Sequence, residues 1–94
     1  MTYDLKFTPS AKKEWDKLDN SIKQVFKKAL IKRLDNPFVI ASKLKGLPID
    51  CYKIKLRTTG YRLIYTVEDN EMVLLVIMIN KRDVVYEKLH KVFE

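Results

Sequence analysis

The sequence predicts an α+β domain: a four-stranded, mainly antiparallel sheet in spatial order 1-4-3-2, an N-terminal αα-hairpin on one face and a short C-terminal helix. Three observations carry this. Residues 51–65, CYKIKLRTTGYRLIY, alternate with period two on either side of a glycine-containing turn. Residues 8–35 hold two runs of apolar side chains at helical spacing. Residues 72–79, MVLLVIMI, are apolar on both faces, as an interior strand must be.

In chain order, Tyr3 to Phe7 reads as a short strand. Thr8 and Pro9 open a helix, Thr as N-cap and Pro at the first helical position. Ala11, Trp15 and Leu18 share one face of it, while Lys12, Lys13, Asp16 and Lys17 lie elsewhere on its surface. Asp19-Asn20-Ser21 ends that helix and caps the next, where Ser21 and Gln24 match a capping box. Ile22, Val25, Phe26, Ala29, Leu30 and Leu34 form the second helix's apolar face, opposite Lys23, Lys27, Lys28, Lys32 and Arg33. Asn36-Pro37 stops it. Residues 38–50 are a connecting loop anchored by Leu44 and Leu47.

In the hairpin, Tyr52, Ile54 and Leu56 form one apolar set and Tyr61, Leu63, Tyr65 and Val67 the other. They share a core only if even-numbered residues of the first strand oppose odd-numbered residues of the second, since a one-residue slip turns every side chain over. A two-residue loop at Thr58-Thr59 satisfies this and sets Arg62 opposite Lys55. Lys53, Lys55, Arg57 and Arg62 then share the non-core face. Glu68 to Glu71 form a polar turn before the apolar strand. That strand needs neighbours on both sides: the hairpin supplies one, and Tyr3–Phe7 is the remaining candidate for the other. Asn80 closes it, Lys81-Arg82-Asp83 is a charged link, and Val84 to Phe93 a terminal helix. Its set Val85, Leu89, Val92 and Phe93 would cover the sheet face left open by the αα-hairpin.

Ninety-four residues suit a single domain, residues 1–94. The net charge of +7 points to nucleic acid, an anionic surface or an acidic partner. Between Asn36 and Val67 there are six cations against one acid, so five of the seven excess charges fall in about a third of the chain. The excess therefore marks a face. One cysteine, Cys51, makes no internal disulfide, and a reducing compartment is expected. The opening MTYDLKF has no secretory apolar run, and the eight-residue run Met72–Ile79 is far short of the roughly 20 residues that span a bilayer. A soluble, cytoplasmic protein with no membrane partner is the expectation.

The chemistry is bounded by what the chain has. One histidine, His90, excludes a two-histidine ribonuclease mechanism and a histidine-based metal cluster. No glycine-rich phosphate loop or nucleophile elbow is present. Glu68, Asp69 and Glu71 read as a solvated turn, and Cys51 as a packing residue. Cations and a tyrosine remain. Like charges crowded on one face call for an anion, and the face reads either as a phosphate-binding site or as a solvated, lysine-rich strand. Arg and Lys can stabilise charge growing on phosphate oxygens during attack by an RNA 2′-OH. A lysine crowded by cations gives up its proton more readily, which suits Lys53 or Lys55 to proton transfer. Tyr86 can stack on a base, or simply pack the terminal helix onto the sheet.

These features resemble the RelE family of toxin–antitoxin ribonucleases. The resemblance covers nearly the whole chain: an opening strand, AKKEWDKLDNSIKQVFKKALIKRLDNP, SKLKGLPIDCYKIKLRTTGYRLIY, an apolar strand, and KR with a later tyrosine. It implies a RelE-like microbial RNase fold. It also implies an mRNA interferase that needs no metal or other cofactor, cuts mRNA in the ribosomal A site and leaves a 2′,3′-cyclic phosphate. The implied partners are the ribosome and a cognate RelB-like antitoxin covering the basic face or displacing the terminal helix. By the same resemblance Lys53 and Lys55 activate the scissile region and Arg62 stabilises the transition-state phosphate. Arg82 would stabilise phosphate or protonate the leaving 5′-oxygen, and Tyr86 would stack on or activate the nucleotide bearing the 2′-OH. Lys43, Lys45, Arg57 and Lys81 would contact RNA or ribosomal RNA. The chain departs from the pattern in KRDVVYEKL, where close members carry a second arginine and a longer spacer before the tyrosine. Two other readings fit the same basic face: a ParE-like toxin that poisons DNA gyrase, and a non-catalytic RNA- or ribosome-binding module.

Overall fold

The computed structural model describes residues 2–93. Strand β1 (Asp4–Phe7) leads into α1 (Pro9–Asp16) and α2 (Asn20–Asp35); β2 (Cys51–Lys55), β3 (Tyr61–Glu68), β4 (Val73–Lys81) and α3 (Arg82–Val92) follow. The sheet order is β1-β4-β3-β2, as expected from the all-apolar fourth strand; β1 runs parallel to β4 and the other pairs are antiparallel.

Thr8 caps α1, its hydroxyl accepting the Ala11 N–H at 3.2 Å, with Pro9 just inside the helix. The expected Ser21–Gln24 capping box is not used. α2 begins two residues before that box would allow, at Asn20, with extended Asp19 as its N-cap and no side-chain cap bond. Burial of Leu18 leaves only three residues between the helices, so the chain turns before reaching Ser21. On α2, Phe26 and Leu30 are buried, but Val25 is half exposed because it lies at the margin of the apolar face.

Each side of the sheet has its own core. The αα-hairpin face packs Trp15, Phe26 and Leu30 against Tyr52, Ile54, Leu63, Tyr65, Val76 and Ile79. The opposite face packs Val85 and Leu89 of α3 onto Cys51, Ile64 and Met78, with Leu44 and Leu47 at its border. β4 serves both cores through a bulge: Tyr65 opposes Val76 and Ile64 opposes Met78, leaving Ile77 unpaired.

Four more details depart from the sequence expectation. The β2–β3 register is as expected, but Arg57 to Gly60 leave the ladder, since Leu56 N–H donates to Tyr61 O and Gly60 N–H to Leu56 O, each at 2.9 Å. The connection is a four-residue turn with Gly60 at φ +75, a conformation that favours glycine. There is no charged link after β4: the strand runs to Lys81 and α3 starts at Arg82, whose N–H donates to Gly60 O at 3.0 Å. Val92 is largely exposed, bordering a hollow beside β4, while Phe93 after it packs against the core as expected. The loop after α2 is held by Arg33, which the sequence places among surface cations. Its Nη1 donates to Tyr65 Oη at 2.9 Å and its Nη2 to Ser42 Oγ at 3.0 Å, while Tyr65 Oη donates to Pro37 O at 2.7 Å.

Candidate phosphate-binding site

Lys55 and Arg62 are direct cross-strand partners, and Lys53 opposes Ile64 two residues along. Opposed residues on paired strands point to the same side of the sheet. Ile64 and Cys51 belong to the core beneath α3, so Lys53, Lys55 and Arg62 lie on the α3 side, away from the αα-hairpin. Lys55 is exposed, Lys53 and Arg62 half-buried. Among the described residues no ion pair involves Lys53, Lys55, Arg62 or Arg82. The Nε of Arg62 is buried with no hydrogen-bond partner among them. Three unneutralised cations thus share one surface, with a donor left unmet in their midst. Such a group repels itself until an anion with several acceptor oxygens arrives, and a phosphodiester offers them.

α3 adds to the same side. Arg82 stands at the helix's first position, tied by its backbone to the hairpin turn at Gly60. Tyr86 follows one turn later on the same helix face, half-buried against the Val85–Leu89 core. The positive end of the helix dipole lies at Arg82 and favours an anion there. Tyr86 therefore both packs the helix and sits on the side of the sheet that carries the cations.

The outlying basic residues fall elsewhere. Arg57 is in the turn rather than on the strand, and with Lys55 it borders a hollow against Ser21, Ile22 and Val25 of α2. Lys43 bridges to Tyr52, which turns it toward the αα-hairpin side, and Asp50 holds its ammonium at 3.2 Å. Lys45 joins it around a loop hollow with Gly46 and Asp50. Lys81 opposes Tyr61, its ammonium 5.9 Å from that ring's centroid, so it too faces away from Arg62. The alternation of a strand continues past its end only while the ladder does, and Arg57 lies beyond the last ladder pair, Lys55–Arg62.

Burial pushes the Cys51 thiol up to about 11, with Asp50 adding to the effect, which leaves it protonated and unreactive near neutral pH. His90 is exposed. Among the described residues no group of His, Cys, Asp and Glu is placed to hold a metal ion. Two residues around the site had no signal in the sequence, Asn80 and Glu14. Asn80 opposes Arg62 on β4, and the Glu14 carboxylate accepts from it at 3.3 Å. Glu14 reads in sequence as one more charge on a charged helix.

Known proteins share both sequence and fold with this chain. The family model described as the ParE toxin of the type II toxin–antitoxin system parDE matches residues 5–86. The mRNA interferase toxin RelE of Escherichia coli strain K12 is 48% identical over 83 residues, 88% of this chain and 86% of that protein. A double arginine-to-alanine variant of E. coli toxin RelE in the free state superposes with a TM-score of 0.85 at 43% identity, covering 100% of both chains. A chain of the intact E. coli RelBE toxin–antitoxin complex gives a TM-score of 0.81 at 46% identity, over 85% of this chain and 96% of that one. Matched along its length in sequence and in fold, the chain belongs to the RelE group within the RelE/ParE family of type II toxin–antitoxin toxins.

Proposed function

We propose that this chain is the toxin of a type II toxin–antitoxin system and acts as a ribosome-dependent endoribonuclease that cuts mRNA in the A site and so inhibits translation. The observation that carries the reading is the Lys55–Arg62 pair with Lys53 on the same side and, among the described residues, no carboxylate bound to any of them. The reading also draws on the similarity to a protein named an mRNA interferase.

In the proposed reaction the RNA's own 2′-oxygen attacks the adjacent phosphorus. The 2′-O–P bond forms and the P–O5′ bond breaks, leaving a 2′,3′-cyclic phosphate and a free 5′-hydroxyl. Lys53 and Lys55 contact and activate the scissile region, and one of the two, as the neutral amine, takes up the 2′-OH proton and becomes an ammonium while the other stays charged. Arg62 meets the charge on the non-bridging oxygens, an interaction stronger in the transition state than in the substrate. Arg82 stabilises the phosphate or supplies a proton to the leaving 5′-oxygen, and Tyr86 stacks on or activates the nucleotide bearing the 2′-OH. Lys43, Lys45, Arg57 and Lys81 contact ribosomal RNA from the flanks. The proposed reaction uses no metal or other cofactor. The site of action is the cytoplasm, where ribosomes are; no helix among the described residues is long and apolar enough to cross a membrane. The partner that silences the chain is a RelB-like antitoxin, covering the basic face or displacing α3. Capture of the small protein encoded beside this chain tests that pairing, and no complex at micromolar concentration counts against it.

The test is cleavage of a defined mRNA with and without ribosomes. Cuts that need ribosomes and carry 2′,3′-cyclic phosphate ends support the reading, and intact mRNA on ribosomes overturns it. The family model's description favours a second reading, a ParE-like poison of DNA gyrase. Arrested replication with DNA breaks and intact mRNA would select it. Tight ribosome binding with no cyclic phosphate would select a non-catalytic binding module.

A further inference from the structure

Glu14, half-buried on α1, stands where β4 loses a neighbour. β1 ends at Phe7, and the last hydrogen bond along that edge is Thr8 N–H to Val76 O at 3.0 Å. Beyond it the outer edge of β4 has no strand beside it among the described residues. The Glu14 carboxylate occupies the gap. One oxygen accepts the Ile79 N–H at 3.1 Å; the other accepts Asn80 Nδ2 at 3.3 Å and lies 3.7 Å from Lys88 Nζ on α3. One side chain joins α1, β4 and α3. The Asn80 amide is held at its other end too, its Oδ1 accepting the Lys81 N–H at 2.8 Å. Asn80 is also the residue opposite Arg62, whose own Nε finds no acceptor among the described residues. The arginine's place is therefore set by the side chains beside it, and Asn80 is one of them.

We propose that Glu14 is a positioning residue for the Arg62 site. Through Asn80 it fixes the β4 wall beside the guanidinium; through Lys88 it fixes the helix that carries Arg82 and Tyr86. This rests on the ribonuclease reading above. A carboxylate suits the task because each of its oxygens accepts one hydrogen bond while its charge also attracts the Lys88 ammonium, which neither an amide nor a hydroxyl of similar size does.

Glu14→Gln keeps an acceptor for Ile79 but sets an amide donor against Asn80 Nδ2 and Lys88. Single-turnover cleavage on programmed ribosomes is measured for it, for Asn80→Ala and for the double variant. In parallel, the Arg62 Nε–H resonance is followed by NMR in the isolated protein. Glu14→Gln is expected to slow cleavage at saturating ribosomes by about ten- to a hundredfold, as for a slightly misplaced catalytic group. The half-saturating ribosome concentration should stay within about twofold, the mark of an interaction felt in the transition state alone. Asn80→Ala should add little to that loss, and the Arg62 resonance should shift in both variants.

Wild-type cleavage by Glu14→Gln with an unmoved Arg62 resonance overturns the proposal, and so does a full multiplication of the two losses. If the wild-type protein itself leaves mRNA uncut, the ribonuclease reading has failed; the Arg62 resonance then decides on Glu14, a shift supporting it and no shift rejecting it. If Glu14→Gln does not fold, Lys88→Met severs the α3 arm alone. It should slow cleavage severalfold with ribosome affinity kept, and wild-type behaviour there overturns the proposal.

Discussion

Arg62 on β3 and Asn80 on β4 face each other because Ile77 is left out of the ladder. Uninterrupted pairing from Tyr65–Val76 onward would set apolar Ile79 opposite Arg62. The bulge moves Ile79 into the αα-hairpin core and brings a polar side chain to the arginine instead. A row Lys55–Arg62–Asn80 then crosses three strands on the α3 side of the sheet. Two neighbouring cations and an amide donor leave the row short of acceptors, and the anion it lacks is what the proposed substrate brings.

Replacing Arg62 should separate stability from activity. Arg62→Met keeps much of the side chain's length while removing the buried, unpartnered Nε and the repulsion from Lys55. The urea midpoint should hold or rise, by up to about 1 kcal/mol in unfolding free energy. Cleavage on ribosomes should fall by about a hundredfold or more, the usual loss when a transition-state donor is removed. A variant that unfolds more easily and cleaves normally would contradict the assignment.

Lys53→Gln and Lys55→Gln test the anion-binding role of the two lysines. Each should weaken binding to RNA and reduce the slope of log affinity against log salt by roughly 0.7 to 0.9 for each phosphate left without its cation. Titrations at several salt concentrations check this. Lys43→Gln should change the slope less, because Asp50 already neutralises that ammonium.

Cys51 makes stability depend on alkaline pH. Its thiol titrates near 11 in the folded protein, above its ordinary value of 9.0. Below pH 9 both states hold the proton and the contribution is complete. Between 9 and 11 the unfolded chain releases it first, so stability is lost as pH rises. The two-unit gap corresponds to about 2–3 kcal/mol. Wild type minus Cys51→Ala, measured by urea unfolding from pH 8 to 11, should show that decline. Alkylation of the native thiol near pH 8 should be slow.

Tyr65→Phe tests the tether on the loop after α2. It removes the donor to Pro37 O and the acceptor for Arg33, which should cost about 1–3 kcal/mol. Thermal unfolding should show the loss, and proteolysis should quicken within residues 37–43. Cleavage per folded molecule should stay near wild type, since this ring lies in the αα-hairpin core. Combining it with Arg33→Met should cost less than the sum of the two, as they share one bond.

The register of the hairpin was legible because alternation lets the two apolar sets share a core only with even opposite odd residues, and Lys55–Arg62 fits that although the turn is four residues long and not two. Strand order was legible too, since MVLLVIMI must be covered on both sides. The helix boundaries at Asn20 and Arg82 were less so. They depend on Leu18 reaching the core and on Arg82 N–H meeting Gly60 O, interactions between residues far apart or on opposite sides of a turn. The outlying cations stand off the expected face for a related reason. Lys43 and Lys81 lie at edges and ends, where a face is set by the partner strand and no longer by periodicity.

By itself, then, the sequence determined the sheet, its order and the side on which Lys53, Lys55 and Arg62 stand, because each follows from local periodicity and the need to bury apolar faces. The tertiary structure alone decided that Asn80 borders Arg62 and that Glu14 spans α1, β4 and α3. A bulge depends on the fit between two cores pressing on one strand, and a carboxylate finds its donors only after distant elements have packed, so neither leaves a local pattern in the chain.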